Sequence, residues 1–282
     1  MNQTLGTQCV ADFEQFPLTL TSAVRRAAEL SLRLEGQVSN RPKASEKTAV
    51  KQALTEADIL AQEEILADLL ESYPGVSLAA EEDTSRVGEF PTDSRALVII
   101  DPIDGTLDSY LRGKGPYSVI VGLALDRRMH AGLVALPREG LIFRATEGGG
   151  AEVVAKDGSV RSVDVRADGD QVMVSHSVSH DLRAALEAEG FEVITGSGGA
   201  VSIAPLLPGV RAGLRIASRE SPNGVSIRGR VGLAIAREAG AIVRGDRAED
   251  FPADLDNPHW TFCVSAEEAD QQRIGRLLRG LV

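Results

Sequence analysis

Between residues 76 and 155 the chain carries six short apolar runs: 76–80, 96–100, 117–125, 130–136, 141–145 and 151–155, with glycine, proline and charged clusters between them. Runs this short and this apolar predict buried strands, and those after 117 follow one another closely enough to predict a meander. A sheet of that size needs helices to cover it. Leu18, Leu20, Val24, Ala27, Ala28, Leu30 and Leu34 approximate one apolar helical face over 18–35. A second helix opens at Thr55, with Asp58 three residues on as a capping-box variant, and stops at Pro74-Gly75. After ADGD (167–170) the pattern alternates. Strands are expected at 171–174, 191–194 and 210–217, helices near 180–189, 199–207 and 230–239, and a strand–helix pair from 261. The fold class is therefore α/β (α+β), with subdomains expected at 1–168 and 169–282.

Composition narrows the partners. A net charge of -11 over 282 residues argues against nucleic acid or an anionic membrane surface, both of which need a basic face. The two cysteines, Cys9 and Cys263, provide no disulfide framework or thiolate metal cluster, which predicts a reducing compartment. No apolar run reaches the length of a membrane span, and the N-terminus lacks a basic start followed by an apolar core, so a cytoplasmic location is expected.

The stretch VIIDPIDGTLDSY (98–110) places Asp101 and Asp104 three residues apart at the exit of a buried strand. Taken alone, Asp-Pro-Ile-Asp-Gly-Thr is a turn with a helix cap, because those residue types form turns. The exit of a strand is also where open α/β sheets bind ligands, and two close carboxylates repel unless a hard cation such as Mg²⁺ sits between them. Gly105 and Thr106 would then open a helix whose free N–H groups favour a phosphate. A second acidic cluster, Glu81-Glu82-Asp83, follows the apolar run VSLAA.

TEAD with Asp58, AEE with Glu81 and Glu82, and DPIDGT with Asp101 and Asp104, in that order and spacing, resemble the inositol monophosphatase family of Mg²⁺-dependent, Li⁺-sensitive phosphatases. The likeness runs from about residue 20 to 265 and is sharp from 47 to 137. It implies a layered α-β-α-β-α sandwich, homodimers and a small phosphorylated substrate. It also implies that Glu81, Asp101 and the Ile103 carbonyl hold one Mg²⁺, with Asp101 and Asp104 sharing a second. Glu82 would order water, Asp58 and Thr106 would orient the nucleophilic water, the Gly105 and Thr106 amides would hold the phosphate, and Lys47 would lie near the outer face.

The pattern departs from the family at one place. Where the family has Trp-Asp about ten residues before Glu-Ala-Gly, this chain has Ile227-Arg228 before Glu238. The family's Asp ligates the second metal, so Arg228 predicts a weak or missing second Mg²⁺, with the guanidinium paired to Asp104 or to the substrate phosphate. The longer loop 217–230 offers Glu220 and Asn223 as substitute ligands.

Other motifs carry less. His176 and His180 have the i,i+4 spacing of zinc ligands but lack a carboxylate partner, and read as surface or capping residues. GSGG (196–199), with Gly198 and Gly199, is either a substrate-lining helix start or a plain loop, and GGG (148–150) is a turn. Three functions follow: hydrolysis of a polyol, sugar or amino-alcohol phosphate, a bisphosphate nucleotidase, or a non-catalytic phosphate-ligand binding or regulatory homologue. Aromatic residues at 4% disfavour the base-stacking pocket of the second.

Overall fold

The computed structural model describes residues 13–43, 54–217, 224–245 and 249–280. Helix α1 (Phe16–Leu34) buries Leu20, Val24, Ala27 and Ala28 of the expected face together with Phe16, whereas Leu18, expected on that face, is exposed because it lies on the opposite side of the helix. Helix α2 (Glu56–Ser72) begins at the capping box of Thr55 and Asp58 and buries Ala57, Ala61, Ile65, Leu66 and Leu69. Both lie on one face of a seven-stranded sheet in sequential order: β1 (Ser77–Ala79), β2 (Ala96–Asp104), β3 (Ser118–Leu125), β4 (Arg128–Leu136), β5 (Leu141–Thr146), β6 (Ala151–Val154) and β7 (Val160–Ser162). Strands β1 and β2 are parallel and the rest antiparallel, so the predicted meander forms.

The apolar runs are continuous because both faces of this sheet are covered. On β2 and β3, Val98, Ile100, Val119 and Val121 face α1 and α2, whereas Ile99 and Ile120 face the opposite way into a second core. That second core contains α4 (Gly198–Ser202), α5 (Arg228–Glu238) and the inner face of a five-stranded sheet ordered β11-β12-β10-β8-β9. Its strands are β8 (Gln171–Ser175), β9 (Glu192–Gly196), β10 (Val210–Ile216), β11 (Ile242–Arg244) and β12 (Thr261–Ser265). Helices α3 (His180–Ala188) and α6 (Glu268–Gly280) close the outer face through Leu182, Leu186 and Ile274 against Val172, Val174 and Leu214. The result is the α-β-α-β-α sandwich that the resemblance implied.

Two cross-strand glycines set how closely the middle layer approaches. Gly122 and Gly132 are register partners on β3 and β4, and a Cβ on either would fall 2.5 or 2.8 Å from a Val231 methyl of α5. This bare spot lets α5 ride directly on the first sheet. Its first residue, Arg228, thereby reaches the exits of β1 and β2.

Candidate active site

Strand β2 does not end at Asp101, as the turn-forming residues suggested; it continues to Asp104 through a bulge. Asp101 pairs with Ile120 and Asp104 with Ser118, so three steps on β2 face two on β3. Pro102 lacks an N–H, and the bulge accommodates that loss at the strand end. At Gly105 the backbone takes φ +90°, and a six-residue π-helical segment, Thr106–Leu111, follows in place of the α-helix anticipated there.

Asp58 sits in the first turn of α2 and is buried. Its Oδ2 accepts from the Thr55 backbone N–H at 2.8 Å and the Thr55 hydroxyl at 2.6 Å. Its Oδ1 lies 3.1 Å from Thr106 Oγ1, which also donates to the Ile103 carbonyl at 2.7 Å. Burial pushes the Asp58 carboxyl up to about 7, the Thr55 donors pull it down, and the Glu82 charge pushes it up. An acid–base group poised near neutrality is suited to proton transfer at physiological pH.

Parallel pairing of β1 and β2 brings their C-terminal ends to the same edge. Asp101 is buried there, and burial with the neighbouring Glu81 and Asp104 carboxylates pushes it well above the ordinary range, while Arg228 pulls it back. Glu82 is buried and raised mainly by burial, opposed by Lys43, whose Nζ donates to Glu82 Oε1 at 2.6 Å and lies 3.9 Å from Glu81 Oε1. Lys43 is a site residue that sequence patterning missed. It lies in the polar loop 39–49, where nothing in the periodicity marks one lysine over another. Lys47 lies outside the described residues, as do Glu220 and Asn223.

Asp104 points to the second sheet. Its Oδ2 accepts from the Gly199 N–H at 2.6 Å and the Ser118 hydroxyl at 3.1 Å. GSGG is therefore a helix start pinned to β2, and not a plain loop. Arg228 does not pair with Asp104 as expected. Its Nε and Nη2 donate to the carbonyls of Ile100 (3.2 Å) and Ala80 (3.1 Å), and Nε lies 3.8 Å from Glu81 Oε2. The two side chains have other partners: Arg228 donates to the β1–β2 exits, and Asp104 accepts from Gly199 and Ser118. His180 is exposed at the start of α3, and His176 is partly buried, its Nε2 lying 3.0 Å from the hydroxyl of Ser109. GGG is the turn between β5 and β6.

Among the described residues no three histidine, cysteine or carboxylate side chains converge as a ready metal cage. Asp101 Oδ1 is nonetheless a buried acceptor without a hydrogen-bond partner. Mg²⁺ typically keeps several waters and uses only one or two carboxylates, so an open buried acceptor beside Glu81 fits one such ion.

The inositol monophosphatase family model matches residues 17–202, which span every site residue described so far except Arg228. The chain belongs to the inositol monophosphatase family. An inositol monophosphatase of Dictyostelium discoideum is 27% identical over 162 residues, covering 57% of this chain and 58% of that protein. A histidinol-phosphatase of Chlorobaculum parvum is 35% identical over 98 residues, 35% of this chain and 36% of its own length. A fructose-1,6-bisphosphatase/inositol-1-monophosphatase of Thermotoga maritima is 30% identical over 128 residues, 45% of this chain and 46% of its own. The chain thus spans between 36% and 58% of these relatives. Among solved structures, an IMPase of Thermotoga maritima superposes with TM-score 0.75 at 19% identity, covering 94% of this chain and 97% of that one. The suhB extragenic suppressor protein of Bartonella henselae gives 0.72 at 20%, covering 93% and 97%. At those identities the likeness is one of family fold.

Proposed function

We propose that this family member hydrolyses a small phosphate monoester with the help of one Mg²⁺ ion. The observation that carries this is the open, buried Asp101 Oδ1 at the joint exit of β1 and β2, flanked by Glu81 and Asp104. Glu81, Asp101 and the Ile103 carbonyl would hold the ion, which supplies Lewis-acid polarisation of the phosphoryl group and activation of water.

The chain's own residues do the rest. Asp58 accepts a hydrogen bond from the attacking water, and Thr106 fixes the orientation of Asp58 and of that water. The Thr106 hydroxyl has one proton for two acceptors. When Asp58 is protonated it donates to Thr106 Oγ1, so the pair stays bonded in both states. Glu82, neutralised by Lys43, orders solvent at the rim, and the Gly105 and Thr106 amides face the phosphate. Phosphoryl transfer asks mainly for positioning and charge neutralisation, so no protein nucleophile is required.

Arg228 supports a weakened second ion. A guanidinium beside Glu81 and Asp101 supplies positive charge and hydrogen bonds to the site but cannot act as a Lewis acid. Turnover is therefore slow for the family, with a phosphate-ligand binding or regulatory role as the limiting case. A screen of Mg²⁺-dependent phosphate release across polyol phosphates, sugar phosphates and 3',5'-bisphosphate nucleotides tests the proposal. Release from the first two groups is expected; release confined to the nucleotides would assign the chain to nucleotidase chemistry, and release from none would leave only binding.

A further inference from the structure

Arg215 is the penultimate residue of β10, which runs parallel to β8, itself parallel to β9, so the three strands end at one edge, and Gly199, just after β9, bonds Asp104 of the β2 bulge. That edge is where open α/β sheets take ligands. The Arg215 guanidinium lies against the start of α4, and a Cβ on Gly198 would fall 1.5 Å from Nη1 and 2.6 Å from Cζ. On its other side a Cβ on Gly229, in the first turn of α5, would fall 3.4 Å from Nη1. The next residue after Gly198, Gly199, donates its N–H to Asp104, and Ser197 packs on Gly105. Arg215 therefore lies against Gly198, the residue between Ser197, which packs on Gly105, and Gly199, which is bonded to Asp104.

The Arg215 side chain is partly exposed, and its guanidinium makes no hydrogen bond or ion pair among the described residues. Its neighbours in the second half of the chain contrast with it. Arg183 donates to Ser175 O, Val178 O and Thr195 Oγ1. Arg211 holds Asp270, and Arg230 donates to the carbonyls of Asp254 and Asn257. Those three are structural. A partly exposed guanidinium with no partner among the described residues keeps its charge and its planar fork of donors available to an incoming anion. Nothing acidic from the described residues meets it, although the chain carries 41 acidic residues.

We infer that Arg215 is a specificity-determining residue that binds an anionic group on the non-reacting end of the substrate, a carboxylate or a second phosphate. The preferred substrate is then a phosphate monoester with a second anion, ahead of a neutral polyol phosphate. This rests on the hydrolase assignment above, which places the reacting phosphate at Gly105 and Thr106. The guanidinium fork binds either oxyanion bidentately, and the glycine at 198 makes the room in which Nη1 lies.

The test compares kcat/KM for phosphate release from three probes: glycerol 1-phosphate with a neutral tail, 3-phosphoglycerate with a carboxylate, and fructose 1,6-bisphosphate with a second phosphate. The ratio of an anionic to the neutral probe is expected to be about 10- to 100-fold, the worth of a charge-assisted hydrogen-bond pair. Arg215→Ala should bring that ratio toward one, chiefly through KM, and Arg215→Lys should retain part of it. Using the ratio cancels any loss of folded protein. Which anionic probe gains more decides between carboxylate and phosphate. Brisk release with a ratio near one in the wild type overturns the role of Arg215 while leaving the hydrolase assignment standing, and so does a ratio unchanged in Arg215→Ala. If none of the three probes is hydrolysed, calorimetric binding of 3-phosphoglycerate against glycerol 1-phosphate decides: a preference lost in Arg215→Ala upholds the role, and no preference overturns it.

Discussion

Thr106 Oγ1 lies 3.1 Å from Asp58 Oδ1, joining the exit of β2 to the first turn of α2 across 48 residues of sequence. The contact is buried at both ends. Thr106→Val keeps the shape and removes the hydroxyl. It should lower kcat by about 100-fold, in the range of lost acid–base assistance. Mg²⁺ binding measured by calorimetry should persist, because the hydroxyl is no proposed ligand.

Asp58 gives the protein a defined pH response. Its folded value, about 7, exceeds the ordinary 3.8 because burial disfavours the charge, so the folded state holds more protons than the unfolded one between those values. The stability contributed is complete below pH 3.8 and is lost as pH rises to about 7. The facing groups are Thr55, Glu82 with its partner Lys43, Thr106 and Tyr110. Under the proposed role, activity should run the other way, rising as Asp58 loses its proton. Asp58→Asn should therefore raise the melting temperature at pH 8 while cutting phosphate release and abolishing its rise near pH 7. Thermal scans and rate profiles at pH 5 to 9 check both halves.

How much of this was legible from sequence depends on whether the signal is local. The strands from β1 to β6 announce themselves because their runs are apolar toward both faces, and Asp58 and Glu81 stand beside element ends that periodicity locates, whereas Asp101 lies inside β2 and Asp104 closes it. The β2 bulge was hidden, since Asp-Pro-Ile-Asp-Gly reads as a turn and only pairing with β3 keeps it in the sheet. Strands β7 and β11 have three residues each, too few to show alternation, and β7 is exposed throughout. Lys43 and Arg215 act through contacts with residues 38 or more and 17 positions away, at Glu81 and Gly198, which no local pattern encodes.

The close approach of α5 can be tested by its own repair. Gly122→Ala sets a methyl 2.5 Å from Val231 Cγ2 and should cost about 1–3 kcal/mol by overpacking. Adding Val231→Ala should recover much of that loss, a non-additivity expected of residues in contact. Additive melting temperatures would place the strain elsewhere.

Arg228→Asp exchanges the guanidinium for a carboxylate beside Glu81 and Asp101. Calorimetry should show the Mg²⁺ stoichiometry rising from one toward two per chain, with faster phosphate release. The loss of the bonds to Ala80 and Ile100 should lower the melting temperature in the absence of Mg²⁺. A wild type that already binds two ions tightly would contradict the role given to Arg228.

The most direct test of the site is Asp101→Asn, followed by Mg²⁺ titration and phosphate release on the same preparations. Asn keeps the volume and removes the charge that makes Asp101 Oδ1 a cation ligand. The wild type should bind one Mg²⁺ and stop releasing phosphate when the ion is chelated, and Asp101→Asn should do neither binding nor release. Phosphate release that survives chelation in the wild type, or an Asp101→Asn protein that still binds Mg²⁺ and turns over, would contradict a metal-assisted centre at the exit of β2.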